Sequence, residues 1–404
     1  MKLKKCKGFR DILPQDMSSF RNIEAKFREA CFRAGYQEVR TPSLEYLYLF
    51  TSAGTLTPGM LRRVYSFLDW DGWSGERVVL KPDATIPVVR LYLESFPGVV
   101  PLRFYYVTNT FVFEETGLKN RERWQCGVEL IGAGGELADA EIVELAQDVL
   151  RKLDIEDLTL KLSHAGLIRA ALSELGLPLN EQNKLFDVIL DRGESAAKDI
   201  KIENTPALET IRLLFNTRGE NSGYLKNMRS ISSSRSSEYR DALEDFIRSF
   251  ELIEQLGIKC EIDMASGKGF EYYTGLIFRI DSGKVNLGGG GRYDQLTTVM
   301  GGNTTPAAGF ALYMDRLMTL LPFSEERNKR ISVVCNADTF KKAASLVYGL
   351  REAGYIAGLE LAGQMSTGFS VQVNPAGGYT VISHSGALTE CSSVSEVKKQ
   401  LEQL

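Results

Sequence analysis

The chain predicts an α+β fold: an antiparallel sheet flanked by helices, with a helical insertion and a small C-terminal α/β domain. Three observations carry this expectation. Residues 103–114 and 123–132 read as a strand pair, the first rich in aromatic and β-branched side chains, joined by a charged, glycine-containing turn. From about 164 to 255 the pattern is largely helical, interrupted by the serine-rich stretch Ser230–Ser237. Beyond a boundary near Glu325–Arg330, short apolar runs alternate with a helical pattern.

Taken in order, residues 15–34 form an amphipathic helix, with Phe20, Ile23, Phe27 and Cys31 at helical spacing and Gly35 placed as a left-handed cap. A short strand follows over Tyr36–Thr41, stopped by Pro42. After the strand pair, 139–153 is a helix with Ile142, Leu145, Ala146, Val149, Leu150 and Leu153 on one face. Strands return at 257–263, 273–281 and 284–288, and a helix is expected to start near Pro306–Phe310. The last part reads as strand 331–335, helix 340–353, strands 356–361, 370–373 and 379–383, and a helix near 394–403. The domains expected are 1–325, with the insertion at about 164–255, and 326–404.

At 404 residues the chain is long enough for two or three cores, and 44% hydrophobic with 25% charged residues is ordinary for a globular protein. A net charge of −4 argues against a nucleic-acid partner held mainly by electrostatics. The six cysteines, at 6, 31, 126, 260, 335 and 391, include no CxxC pair and no Cys/His cluster. This fits a reduced cytoplasmic setting without a metal. No run of 18 apolar residues and no N-terminal apolar segment occurs, so neither a membrane span nor a signal peptide is expected. His164 and His384 are the only histidines and each is isolated in sequence from any acid or base partner, which disfavours histidine general-base chemistry.

In Trp124–Leu130, strand alternation puts Gln125, Gly127 and Glu129 on one face and the apolar Cys126, Val128 and Leu130 on the other. An amide and a carboxylate on either side of a glycine make a shallow floor suited to a small cationic ligand. Alternation alone leaves a second reading open, a half-exposed polar face. Gly288–Gly291 lacks the Gly-Lys-[Ser/Thr] ending of a phosphate loop and reads instead as a place of tight turning or close approach.

Several segments together resemble the histidyl-tRNA synthetase family of class II synthetases: Lys268-Gly-Phe-Glu-Tyr-Tyr-Thr-Gly275, Gly288-Gly-Gly-Gly-Arg-Tyr-Asp294, Gly309–Leu317, the Gln-x-Gly-x-Glu strand, and Lys81-Pro-Asp-Ala-Thr85. The resemblance spans nearly the whole chain, with the blocks in the family's order. It implies a class II synthetase-like antiparallel sheet with the 103–132 hairpin central. It also implies a histidine site in which Gln125 holds the α-amino group and Glu129 the imidazole. Asp83 and Thr85 would receive the ammonium, Tyr272 and Tyr273 line the imidazole pocket, and Gly127, Gly289 and Gly290 form its floor. Arg316 matches the arginine that contacts ATP.

The chain departs from the family where the chemistry happens. The arginine of Phe-Arg-x-Glu, which bridges the substrate carboxylate and the α-phosphate, is Val112, with no donor. The arginine ahead of the tyrosine pair is Lys268, which keeps the charge and loses the fork. Over 327–404 there are eight basic and six acidic residues, and none of either kind from Leu361 to Thr389, whereas RNA recognition needs a basic surface with stacking side chains.

These departures make the chain resemble the paralogous family of regulatory subunits of ATP phosphoribosyltransferase. That resemblance implies a protein without catalytic residues or cofactor, required by a short-form catalytic subunit and relaying feedback by L-histidine in the first step of histidine biosynthesis. It also implies self-association as a dimer, and no nucleic-acid or membrane partner. The alternative is an active histidyl-tRNA synthetase with atypical motifs.

Overall fold

A computed structural model describes residues 3–53, 64–69, 75–112, 120–192, 206–266, 272–321, 330–360, 369–383 and 386–402. The chain divides into two compact units, 1–323 and 324–404.

The first unit opens with α1 (Pro14–Arg33), whose Phe20, Ile23, Phe27, Ala30 and Cys31 are buried, with proline in its first turn and Gly35 beyond its end at φ +80°. Then come β1 (Gln37–Glu38), β2 (Leu44–Tyr46), α2 (Leu47–Ser52), β3 (Ser66–Leu68), β4 (Arg77–Leu80) and α3 (Thr85–Ser95). The hairpin is β5 (Leu102–Phe111) and β6 (Glu122–Ile131), paired in register from Leu102–Ile131 to Phe111–Glu122. Helix α4 (Gly135–Lys152) starts earlier than its apolar spacing suggests, with Gly134 extended at its N-cap. The remaining elements are β7 (Leu158–His164), α5 (Ala165–Ser173), α6 (Leu179–Arg192), α7 (Pro206–Asn216), α8 (Gly223–Ile231), α9 (Ser237–Glu254), β8 (Lys259–Ile262), β9 (Leu276–Ser282), β10 (Val285–Arg292), α10 (Leu296–Val299), β11 (Ala307–Tyr313) and α11 (Met314–Leu320).

Eight strands form one sheet in the order β1-β5-β6-β11-β10-β9-β7-β8, and β2-β4-β3 form a small second one. Apart from the parallel pairs β1–β5 and β7–β8, the large sheet is antiparallel. Two expectations need correction. The hairpin takes the second and third places in the sheet, and β11 and β10 occupy its middle. The segment after Pro306 is strand β11, and the helix begins only at Met314. Ala307-Ala-Gly-Phe-Ala-Leu is a short, nearly unbroken apolar run, which fits a buried strand or a buried helix equally until its pairing partners are known. Here β6 and β10 supply hydrogen bonds on both edges. Among the described residues, no helix is long and apolar enough to cross a membrane.

The second unit holds β12 (Arg330–Val334), α12 (Phe340–Glu352), β13 (Ile356–Glu360), β14 (Phe369–Val373), β15 (Tyr379–Ile382), β16 (Leu388–Cys391) and α13 (Val394–Glu402). Its five strands run β13-β12-β14-β15-β16 over a core that includes Ile331, Val333, Leu346, Leu350, Val371, Val381 and Val397. Strand β16 was not anticipated. Its side chains at 388 and 390 are exposed, so it carries little apolar pattern, and its hydrogen bonds to β15 define it.

Candidate functional site

Three adjacent strands build the site. The register aligns Glu129 on β6 with Gly309 on β11 and Gly291 on β10, and the next row on that face is Gly127, Ala311 and Gly289. Gln125 lies opposite Tyr313 in the row beyond. One sheet face therefore carries Gln125, Gly127 and Glu129 together, with small residues beside them. Gly290 belongs to the row of Val128 and Phe310, on the opposite face, because side chains alternate along the strand. What limits a side chain at Gly290 is backbone: a Cβ there would lie 2.1 Å from the Gly309 carbonyl oxygen. At Gly289 the neighbour is the Phe278 carbonyl oxygen, at 2.5 Å.

The space left by the glycines is taken by aromatic rings. Tyr106 lies over Gly127, where a Cβ would come within 2.3 Å of its hydroxyl, and a Cβ at Gly291 would touch the Tyr273 ring at 3.0 Å. Glu129, 1% exposed, accepts hydrogen bonds from the Tyr106 hydroxyl at 3.1 Å and from the Tyr293 hydroxyl. Tyr272 packs against Tyr273 and Tyr293 at centroid distances of 5.2 and 5.6 Å, and its hydroxyl donates to Asp83 at 3.4 Å. Asp83 precedes α3 and caps it, one oxygen accepting the Ile86 N–H at 2.9 Å, while the Thr85 hydroxyl favours the ionised form of Glu129. Of the residues expected from the sequence, the fold brings together Asp83, Thr85, Glu129, Tyr272 and Tyr273, and it adds Tyr106 and Tyr293, which were not expected. The signal for Tyr293 was its parity with Gly291 on β10. Tyr106 could be found only from its register opposite Gly127. Lys268 lies outside the described residues.

The electrostatics are those of two carboxylates kept out of water. Burial pushes Glu129 up to about 8 and Asp83 up to about 6, against the tyrosine, threonine and backbone donors that favour their ionised forms. Lys81, fully buried, donates to the Thr41 carbonyl and hydroxyl at 3.3 and 3.2 Å, and its burial lowers it to about 8. A cation entering this cluster would supply the charge that the protein withholds. Positive charge lies nearby: burial raises the Tyr313 phenol, and the charges of Arg316, Arg123 and Arg279 oppose that rise. Arg316 stacks over the Tyr313 ring at 4.7 Å and donates to the Asn286 carbonyl at 2.9 Å. Carboxylates beside arginines suit a small zwitterion. Val112 has only its backbone to offer, and its N–H is committed to the Arg121 carbonyl at 2.9 Å.

Glycine at 309 is a requirement of this packing. A Cβ there would sit 2.1 Å from Glu129 Oε2 and 2.4 Å from the Val128 carbonyl oxygen. Gly309→Ala should cost about 1–3 kcal/mol, read from denaturant midpoints. Gly349→Ala, in α12 with its nearest atom 3.9 Å away, should be neutral or stabilising by about 0.5–1 kcal/mol. Equal effects at the two positions would show that the row beside Glu129 is not tightly packed.

His164, isolated in sequence from any acid or base partner, is buried and paired in the fold. Its Nδ1 accepts the Leu167 N–H at 3.1 Å and its Nε2 donates to Asp245 at 3.0 Å, an arrangement that needs the neutral ring. Burial lowers its pKa accordingly. His384 lies outside the described residues. Among those residues no group of side chains could hold a metal ion.

A family model for histidyl-tRNA synthetase matches residues 8–317. An ATP phosphoribosyltransferase regulatory subunit from Dehalococcoides mccartyi is 44% identical over 382 residues, 93% of each chain. A histidine–tRNA ligase from Methanocaldococcus jannaschii is 33% identical over 375 residues, 89% of this chain and 86% of that one. Among solved structures, an ATP phosphoribosyltransferase regulatory subunit/histidyl-tRNA synthetase from Bacillus halodurans superimposes with a TM-score of 0.77 at 24% identity, covering 91% of this chain and 95% of that one. With the class II sheet, the tyrosine-lined carboxylates and Val112 in place of an arginine, these likenesses fix the family: the chain belongs to the histidyl-tRNA synthetase family, in the branch of ATP phosphoribosyltransferase regulatory subunits.

Proposed function

We propose that the chain is a non-catalytic regulatory subunit of ATP phosphoribosyltransferase, with free L-histidine as the ligand of the Asp83–Glu129 cluster. Two observations together support this most. Glu129, Asp83 and the tyrosines converge, while Val112 stands where adenylation needs a donor. In this reading Glu129 takes the imidazole N–H, and Asp83, Thr85 and Gln125 take the ammonium. The family resemblance assigns the carboxylate to Lys268, and the arginines around Tyr313 offer it further positive charge. The partner is a short-form catalytic subunit, the chain self-associates as a dimer, and the complex works in the cytoplasm. Nucleic acid, membrane and cofactor have no part in it. The charge-poor stretch Leu361–Thr389 supports the exclusion of RNA.

The test is to mix the purified chain with a short-form catalytic subunit. The two should co-elute, and joining of ATP to phosphoribosyl pyrophosphate should rise well above that of the catalytic subunit alone. Separate elution with unchanged turnover would overturn the proposal. Arg316 and the 33% identical ligase favour a second reading, an active synthetase.

A further inference from the structure

Strand β10 has two working faces. Gly291 and Tyr293 face the Glu129 cluster. Arg292, between them, points the other way into a buried group of charges on the helices behind the sheet. Its Nε donates to Asp139 on α4 at 3.2 Å, Nη2 pairs with Asp245 on α9, and Nη1 lies 3.7 Å from Asp294. Asp139 is 0% exposed and accepts a second hydrogen bond from Ser249 on α9 at 2.7 Å, and Asp245 also accepts from His164 at the end of β7. Two glycines admit this group: a Cβ at Gly275 would lie 2.5 Å from the Arg292 guanidinium carbon, and one at Gly166 would lie 3.2 Å from the His164 ring.

With His164 neutral, three carboxylates share the Arg292 guanidinium, Arg248 adds only a 3.4 Å bond to Asp245 Oδ1 from the exposed side of α9, and Asp294 Oδ1 is buried without a hydrogen-bond partner among the described residues. Such a group is incompletely satisfied, so a small movement of Arg292 redistributes its bonds. The same residue fixes the backbone behind the tyrosines, since its carbonyl accepts the Thr274 N–H at 2.8 Å and the Gly275 N–H at 3.3 Å. Asp245 and Ser249 are on α9, the long last helix of the insertion, which packs on α4 and α5.

We infer that Arg292 with Asp139, Asp245 and Asp294 is a joint that links the state of the Glu129 site to the seating of α9, so that what happens at the site is reported on the helical insertion. Arg292 acts through Tyr293 and is a positioning residue. The identity of the ligand rests on the reading above, but the joint does not. Linkage makes the effect reciprocal, and couplings of this kind are typically about five- to a hundredfold.

The experiment is hydrogen exchange of the full chain, followed over Ser237–Glu254, with α12 as an internal reference. L-histidine should change exchange of the α9 amides about fivefold or more. Without ligand, Glu129→Gln should shift the same segment, because it alters what Tyr293 donates to. In an Asp245→Asn background both responses should disappear, while histidine still binds. If Asp245→Asn does not fold, Ser249→Ala, which removes only the bond to Asp139, should reduce both responses. Unchanged α9 exchange in Glu129→Gln, or histidine binding with unchanged α9 exchange, overturns the joint. A response to Glu129→Gln with no histidine binding would uphold the joint and remove histidine as the ligand.

Discussion

Histidine-dependent ATP–pyrophosphate exchange by the purified chain should be undetectable under conditions where the Methanocaldococcus jannaschii ligase turns over. Adenylation gathers negative charge at the α-phosphate, and an enzyme accelerates it by holding donors there before the charge develops. Losing one such donor costs ~2.7–4 kcal/mol, roughly 10²–10³ in rate. Val112 offers no side-chain donor, and its N–H is already bound to the Arg121 carbonyl. Lys268 brings a point charge where the family has a planar fork. Val112→Arg alone should therefore fail to restore exchange. Turnover near that of the ligase would sink the non-catalytic reading and leave the synthetase reading standing.

Glu129→Gln should weaken inhibition of the assembled complex by histidine about ten- to a hundredfold, leaving turnover without histidine unchanged. A charged hydrogen bond in a buried site is worth roughly 1.5–3 kcal/mol. Glu129 also sets a pH dependence. Its carboxyl is raised from an ordinary 4.5 to about 8 by burial, so near pH 7 the free site holds it largely protonated. A ligand that prefers the carboxylate must displace that proton. Wild-type affinity should therefore climb between about pH 7 and 8.5, and that of Glu129→Gln should not. Stability moves the other way. A raised carboxyl opposes folding increasingly from the unfolded value of 4.5 up to about 8, so Glu129→Gln should be the more stable protein at pH 7–8 and lose that advantage below about pH 4.5. An inhibition curve identical to wild type would put the histidine sensor elsewhere. Lost turnover without histidine would show that Glu129 serves assembly.

The two results bear on different parts of the molecule. Exchange tests what Val112 took away, and inhibition tests what Glu129 kept. Histidine, if it binds at this site, can regulate only by favouring one arrangement of the complex over another.

Some of this was decided by sequence alone. The α1 stripe of Phe20, Ile23, Phe27 and Cys31, the long alternating hairpin and the Gln-x-Gly-x-Glu strand are local patterns, and local geometry determines which side chains share a face. Val112 and Lys268 are likewise legible, since the absence of a donor is a property of the residue type. The rest needed tertiary structure, because it depends on pairs far apart in the chain. Ala307–Tyr313 is a strand because β6 and β10 complete its hydrogen bonds, and its apolar run carries no period that excludes a helix. Gly309 and Gly291 matter because the register sets them in the row of Glu129, and only then is there room for the Glu129 carboxylate and the Tyr273 ring. His164 has no partner in the sequence around it, and the fold brings up Asp245 from 81 residues away. In the sequence Arg292 is simply the residue that follows the glycine run Gly288–Gly291. The alternation of one strand turned it away from the site and into the charges of the helices behind.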